Sequence, residues 1–227
     1  MSNKNDFEYA WYFLKPNGKL GYGDCREVSE GVVHTVSVIP ECCLQGLHAS
    51  KKIVDALGYA QSSKVALVKI SGSIDTQPDK ICGSSREYIK VFDIEDLLFE
   101  FSRKQALSVW HLTKEYISED RYNLVKKYLE TGDMSLRDAA LAAARDAALA
   151  ATLDAAWDAA LAAARDAALA ATRDAAWDAA WDAALDAALD ATRDATRDAA
   201  WATANKQLLD MIQDKFSYEL PEEVYNA

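Results

Sequence analysis

Short apolar runs separated by turn residues fill the first 92 residues of the chain. Phe7–Lys15 (FEYAWYFLK) ends at Pro16-Asn17-Gly18, which predicts a strand followed by a tight turn. Apolar runs rich in β-branched residues predict three more strands, at Val32–Ile39, Lys64–Ser71 and Glu87–Phe92. This pattern is typical of a small sheet with a buried face.

A helical period replaces the strand pattern at three places. Lys51–Ala60 spaces its apolar residues on one helical face, and the same holds for Ile94–Leu112 and Glu119–Glu130. Thr131-Gly132 follows the last of these, and a glycine there predicts a helix C-cap.

From Arg137 to Ala204 the sequence repeats every four residues. The seventeen tetrads carry Arg, Leu or Trp first, Asp or Ala second, and Ala at the third position in all but one tetrad. Alanine has the highest helix propensity, and no Gly, Pro or Asn interrupts residues 133–204. The repeat therefore predicts one long α-helix.

A four-residue period drifts around the helix axis, because four residues turn an α-helix by about 400°. The resulting stripe winds right-handedly, and its small residues favour close right-handed helix crossings. We therefore predict a right-handed, close-packed helical coil, formed between copies of the chain or by folding back at a kink. The alternative, a lone solvated helix, leaves tryptophans and leucines without a partner surface. The residues predicted to mediate self-association are Ala155, Ala159, Ala163, Ala167, Ala171, Trp157, Trp177 and Trp181.

The predicted fold class is α+β, a small N-terminal mixed α/β domain followed by a long alanine-rich tetrad-repeat helix that forms the coil. Residues 1–92 are predicted to be a recognition domain and residues 93–133 a helical connector. Residues 134–215 are predicted to be the tetrad-repeat helix, and residues 216–227 an acidic C-terminal tail.

The negative charge is concentrated in the repeat and the tail. The chain carries a net charge of −11, of which residues 137–204 contribute −6 and residues 205–227 contribute −3. Direct binding of nucleic acid or of an anionic membrane is therefore not expected. Aspartates at consecutive i,i+4 positions repel one another, which indicates either a solvated face that keeps the helix soluble or a ladder that binds a basic protein. The ladder consists of Asp174, Asp178, Asp182, Asp186, Asp190, Asp194 and Asp198.

The four cysteines favour a reducing compartment over a disulfide scaffold. Cys42 and Cys43 are adjacent, and four cysteines in 227 residues are too few for a stapled fold, so free thiols in the cytoplasm are predicted. No segment has the apolar length of a bilayer span, and the first ten residues do not resemble a secretory signal.

Motifs for metal or catalytic chemistry are not evident. Cys25, Cys42, Cys43 and His48 contain zinc-ligand residue types, but structural zinc sites use paired C-x₂₋₄-C ligands, so buried free cysteines are the better interpretation. The sequence has no Gly-rich phosphate loop and no evident Ser/His/Asp set. We therefore predict neither a metal nor a cofactor.

Three segments of the first half resemble an N-terminal domain of bacteriophage and prophage proteins of unknown function. They are WYFLKPNG (Trp11–Gly18), GLHAS (Gly46–Ser50) and the helix residues Asp55-Ala56-Leu57 with Tyr59-Ala60. The alanine tetrads ending in Asn205–Leu209 resemble the tails of such proteins and of immunity proteins. The resemblance implies a phage-encoded protein that works in the cytoplasm of a host cell.

A second resemblance, to ADP-ribosyltransferases, suggests an alternative activity. Gly46–Gly72, followed by EYIKVFD at Glu87–Asp93, is similar to the core of those enzymes. On that mapping Glu87 is the acid that orients the ribose, and His48 replaces the usual tyrosine.

The leading prediction is a non-enzymatic interaction protein that self-associates through its repeat. Its expected partners are further copies of the chain and a basic host protein, which it would bind and inhibit. The alternative is a transferase-like enzyme, or an inactive relative, that uses the N-terminal domain.

Overall fold

A computed structural model describes residues 7–21, 24–147 and 198–226. The chain divides into two compact units. The first combines Met1–Phe99 with Trp201–Ala227, and the second is Glu100–Ala200. The second unit is therefore an insertion between two parts of the first.

An antiparallel sheet forms the centre of the first unit. Its strands run in the order β1-β6-β7-β4, while β5 pairs with the opening residues of β7, and β2 and β3 form a separate hairpin. Ser50, one residue after β5, bridges back to Trp11 of β1, so the sheet curls strongly. The strands are β1 (Phe7–Phe13), β2 (Lys19–Gly21), β3 (Asp24–Glu27), β4 (Val33–Thr35), β5 (Leu47–Ala49), β6 (Lys64–Thr76) and β7 (Ile81–Asp93).

Both faces of the sheet are buried in its middle. Four consecutive residues of β6, numbers 65–68, are fully buried, because a central strand covered on both sides needs apolar residues at successive positions. One face contributes Val68 and Tyr88 to a core that also includes Leu20 and Leu47. Phe92 belongs to the other face, with its ring centroid 6.3 Å from that of Trp11.

The C-terminal segment packs in the first unit. Residues 198–216 are helical, and a 3₁₀ turn follows at Glu222–Val224. Leu208, Leu209 and Ile212 are fully buried. The Phe92 ring lies 5.1 Å from Phe216 and 5.5 Å from Tyr218, measured between centroids. The end of the chain thus supplies part of the core beneath the sheet.

Polar contacts fix the same segment to helix α1 (Ile53–Leu57). The Trp201 indole donates to Asp55 Oδ1 at 2.6 Å, and the Val54 amide lies 3.5 Å from the buried Asn205 side-chain oxygen. A further contact lies outside α1, where Lys215 Nζ pairs with Asp96 at 3.3 Å.

The second unit is built from helices. Helix α2 (Glu95–Trp110) enters it from the first unit, and α3 (Glu119–Thr131) follows, with Gly132 as its left-handed C-cap at φ 69°. Residues 137–147 form a further helix. The Trp110 ring stacks on Tyr122 at 5.8 Å, and the small core of this unit also contains Val125, Ala140, Ala143 and Ala147.

The predicted fold class is wrong. The described residues form a mixed α/β protein with a sheet-rich N-terminal region and several short helices, and they contain no long alanine-rich helix. Residues 137–147, which belong to the first tetrads, are helical and their alanines pack in the second unit, whereas the last tetrad, residues 201–204, belongs to the first unit. Tertiary packing, which stabilises a helix more than its propensity does, assigns the two ends of the repeat to different units.

Most of the repeat lies outside the described residues. This holds for residues 148–197, which include all the predicted self-association residues and the ladder from Asp174 to Asp194. Asp198, the last member of the ladder, is described and exposed. Within the described ranges, no helix has the length and hydropathy needed to cross a bilayer.

Candidate functional site

A cavity of about 440 Å³ opens in the first unit. Its volume is in the usual range for small-molecule sites. Its wall includes the aromatic residues Trp11, Tyr12, Phe13 and Tyr59, and the only charged residues among its described lining are two lysines, with no aspartate or glutamate. The residues that matter for its chemistry are Trp11, Tyr12, Lys15, Cys43, His48, Tyr59 and Lys80.

A tight turn after Pro40 forms one side of this cavity. Glu41 and Gln45 bridge to each other across it, and Cys43 adopts a left-handed conformation at φ 77°. A non-glycine residue in that region is strained, so it needs support from its surroundings. The Cys43 amide donates to His48 Nε2 at 3.0 Å, which gives that support.

His48 is occupied at both ring nitrogens. Because Nε2 accepts from Cys43, the proton is on Nδ1, which lies 3.1 Å from the Gly46 carbonyl oxygen and donates to it. Burial lowers the pKa of His48, which favours this neutral form. The His48 side chain therefore stabilises the turn by hydrogen bonds to Cys43 and Gly46.

Lys80 contributes a positive charge to the rim of the cavity. Its ammonium lies 3.2 Å from Cys43 Sγ, 3.7 Å from the Asp79 carboxylate and 5.1 Å from the centroid of the Tyr59 ring. Hydrogen bonds to Tyr59 and Cys43 raise the pKa of Lys80, so the amine is charged throughout the neutral range. Tyr59 in turn donates to Asp79. These contacts hold the lysine beside an exposed thiol.

A buried arginine lies behind the cavity wall. Arg86 is 2% exposed, and its guanidinium stacks 3.7 Å from the centroid of Tyr12. Nε and Nη2 donate to the Tyr88 hydroxyl at 2.9 and 2.6 Å, and Nη1 donates to the His48 carbonyl. Among the residues that the structure describes, no carboxylate pairs with it. Its charge is stabilised by the face of the Tyr12 ring, the Tyr88 hydroxyl and the His48 carbonyl oxygen.

His34 completes the buried polar cluster. Its Nδ1 lies 3.2 Å from the Tyr88 hydroxyl, and the side chain is nearly inaccessible. Burial is the main cause that lowers the pKa of His34, and the nearby Arg26 and Arg86 lower it further, while Asp24 opposes them. His34 is therefore neutral in the folded protein at neutral pH.

We expect the first unit to lose stability in mild acid. The pKa values of His34 and His48 are below the ordinary 6.5, so the unfolded chain binds more protons below that pH. Their contribution is complete above about pH 6.5 and falls as the pH decreases, by up to about 1.4 kcal/mol per pH unit for each histidine. Amide hydrogen exchange of β6 and β7, corrected for the intrinsic exchange rate at about pH 7.5 and about pH 5.5, measures the loss in this unit.

The histidine dependence has a matched control. His34→Gln should reduce the loss of stability between the two pH values, whereas His111→Gln, which changes an exposed histidine, should leave it unaltered. An equal pH dependence in the wild type and in His34→Gln would contradict the assignment to His34.

The structure does not join the two residues of the transferase alternative. His48 lines the cavity, but Glu87 does not. Glu87 lies in β7 between Arg86 and Tyr88, opposite Lys69 and Val33 in the pairing register. Because side chains alternate along a strand, Glu87 faces away from Arg86 and Tyr88, which lie behind the cavity wall.

The cysteines are free thiols in two environments. Cys42 and Cys82 are buried, and Cys25 and Cys43 are exposed. Of the cysteines predicted to be buried, namely Cys25, Cys42 and Cys43, only Cys42 is buried. Cys25 belongs to the β2–β3 hairpin. Within the described ranges, the group able to share a metal ion is Cys42, Asp75 and Cys82.

Residues 23–100 match the family model described as a domain of unknown function (DUF7666). The match covers β3 to β7, the turn around Cys43, Lys80 and Arg86. It omits β1 and the C-terminal segment that complete the core. No curated protein and no solved structure matches the chain.

Proposed function

We propose that this chain is a non-enzymatic interaction protein whose first unit recognises its partner through the cavity. The observation that supports the proposal is the cavity itself, an aromatic pocket with two lysines and no carboxylate among its described lining residues. Such a pocket suits an apolar group that carries a negative charge. The chain as a whole carries a net charge of −11, so two lysines in one cavity are unusual for it, although Asp79 lies 3.7 Å from Lys80 at the rim.

Trp11 supplies a second reason to expect a ligand. Trp11 is among the residues that line the cavity but is itself fully buried, and its indole N–H is a donor without an acceptor among the described residues. A buried donor of this kind costs about 1–3 kcal/mol, and few remain in native proteins. A ligand that brings a carbonyl or carboxylate oxygen to Trp11 would remove that cost.

The transferase alternative has less support. Both ring nitrogens of His48 are engaged in holding the turn, and Glu87 is not among the residues that line the cavity. We expect no release of nicotinamide when the protein is incubated with NAD, and no difference between the wild type and Glu87→Gln. Release by the wild type that Glu87→Gln abolishes would overturn the non-enzymatic proposal.

The repeat adds a separate proposal, which rests on its sequence. Self-association and capture of a basic host protein by the aspartate ladder would give the chain a second interaction surface, sensitive to salt. Changing Asp178, Asp182, Asp186 and Asp190 to Asn should reduce capture of a basic partner while leaving the cavity unchanged. Retention of every partner at the same salt sensitivity would contradict the role of the ladder.

An anilinonaphthalene sulfonate tests the cavity, because the dye combines aromatic rings with one negative charge. We expect saturable binding of one dye molecule, seen as a rise in its fluorescence. Lys80→Gln should weaken binding about tenfold, since it removes a charge-assisted contact worth roughly 1.4 kcal/mol. Lys90→Gln is the control, because Lys90 is also ion-paired, at 3.1 Å from Glu30, but does not line the cavity.

Recognition is tested by competition. A partner protein captured by the wild type should be released by saturating dye and captured less by Lys80→Gln. Equal dye affinity in Lys80→Gln and Lys90→Gln would contradict the charged cavity. Capture of the partner that is insensitive to both the dye and Lys80→Gln would contradict recognition through this site.

A further inference from the structure

We infer that Cys42, Asp75 and Cys82 bind one thiophilic divalent cation of the Zn²⁺ class. The Cys42 and Cys82 sulfurs lie 3.3 Å apart, and the ligand atoms of the three residues are all within 4.8 Å of one another. Both thiols are buried, and the carboxylate is half-buried. This group is separate from the cavity, because none of the three residues lines it.

Regular structure fixes two of the three ligands. Asp75 in β6 and Cys82 in β7 are directly paired across the hairpin, so their side chains share one face of the sheet. Cys42 belongs to the turn after Pro40 and comes directly before Cys43. Three separate chain segments therefore bring their ligand atoms within 4.8 Å of one another.

The carboxylate is already oriented for coordination. Asp75 Oδ2 accepts the Cys42 amide at 2.8 Å, which holds the side chain against the turn and leaves the second carboxylate oxygen for a ligand bond. Hydrogen bonds of this kind commonly orient metal-binding residues. The same bond ties the Cys42 backbone to the hairpin, so the positions of two ligands are coupled.

The distances suit a tetrahedral ion after a small adjustment. Zinc–sulfur bonds of about 2.3 Å place two sulfurs about 3.8 Å apart in a tetrahedron, roughly 0.5 Å more than their separation here. Two thiolates select Zn²⁺ over Mg²⁺ or Ca²⁺, which prefer oxygen ligands. Three protein ligands leave one tetrahedral position for water.

Metal binding displaces two protons. Burial raises the pKa of Cys42, to about 12, and that of Cys82, so both sulfurs carry protons in the metal-free protein. The cation replaces those protons at the two sulfurs, and both protons pass to solvent. No change of oxidation state is involved.

Cobalt substitution tests the site in the full-length, reduced protein. Co²⁺ alone should bind with one equivalent and give sulfur-to-cobalt charge-transfer absorption together with the intense visible bands of a tetrahedral ion. Zn²⁺ should displace it. Cys82→Ser should weaken Co²⁺ binding at least tenfold and reduce the charge-transfer band, and Asp75→Asn should weaken binding at least tenfold while keeping that band. Cys25→Ser, which changes an exposed thiol in another strand, should bind as the wild type does.

Amide hydrogen exchange of β6 and β7 at the wild-type rates shows that each variant is folded. Absence of cobalt bands at stoichiometric metal would overturn the site, as would bands equally affected by Cys25→Ser and Cys82→Ser.

A measurement on the unaltered chain avoids any folding defect. In partially denaturing urea, Zn²⁺ should slow alkylation of Cys42 and Cys82 but not of Cys25, as read by peptide mass. Equal alkylation rates with and without Zn²⁺ would also overturn the proposal.

Discussion

Leu208→Ala is expected to lower the stability of the first unit by about 2–5 kcal/mol, the usual cost of a cavity in a packed core. Leu208 is fully buried, although about 115 residues separate it from Asp93, the end of the last strand of the sheet. A typical domain is stable by about 5–15 kcal/mol, so the loss is a large share of the total. Amide hydrogen exchange of β6 and β7 reports on this unit alone, whereas a global melt mixes both units.

The control for Leu208 is Ile39→Ala. Ile39 is 80% exposed, so its truncation should change exchange in β6 by less than about 0.5 kcal/mol. If β6 exchanges equally in Leu208→Ala and the wild type, the C-terminal segment does not stabilise the sheet.

Tyr88→Phe is expected to cost about 2–4 kcal/mol, because it removes one oxygen but leaves a buried cation without its main acceptor. The hydroxyl accepts two hydrogen bonds from Arg86 and lies 3.2 Å from His34 Nδ1. The phenyl ring would preserve the packing of the core. Hydrogen exchange in β6 measures the loss, and Tyr9→Phe, with its ring on a partly exposed strand, should change little.

Adding Arg86→Met separates the hydroxyl from the charge. If the cost of Tyr88→Phe arises from an unsatisfied guanidinium, the double variant should be more stable than the sum of the single effects implies. Strict additivity of the two substitutions would show that the hydroxyl and the guanidinium are not coupled.

The strands with uniform apolar runs could be predicted from the sequence. The runs at Phe7–Lys15 and Lys64–Ser71 fall in β1 and β6, and the predicted helix Glu119–Glu130 is confirmed as α3 with its Gly132 cap. β6 continues to Thr76, however, because Gly72 adopts φ 79° at an irregularity in the pairing with β7. A glycine that indicates a turn in the sequence here lets a long strand bend without ending.

Other elements depended on contacts that no local pattern reveals. The predicted strand Val32–Ile39 is reduced to Val33–Thr35, and its last apolar residues, Val38 and Ile39, are exposed. β5, at Leu47–Ala49, is too short for an alternating pattern. Both β4 and β5 pair with the same edge of β7, β4 opposite residues 85–87 and β5 opposite residues 81–83, so each forms through a contact that is distant in the sequence.

The candidate site could be anticipated only in part. The sequence points to His48, which lines the cavity, as a replacement for the usual tyrosine of ADP-ribosyltransferases, whereas in the structure it holds a turn. Lys80 and Tyr59 come from different loops and meet only in the folded chain. The contact between Cys42 and Cys82 cannot be predicted from the sequence, because 40 residues separate them and a contact between a turn and a strand leaves no spacing signature.

The insertion of the second unit has a consequence for synthesis. A ribosome that has completed β7 must add residues 100–200 before the segment that buries Phe92 exists. At usual elongation rates this takes about 5–20 s, during which one apolar face of the nascent sheet is uncovered. A chaperone that binds exposed apolar surface would find it then. Each tetrad removed from the repeat would shorten the interval by roughly 0.2–0.8 s. The number of tetrads therefore determines how long this apolar face stays uncovered during synthesis.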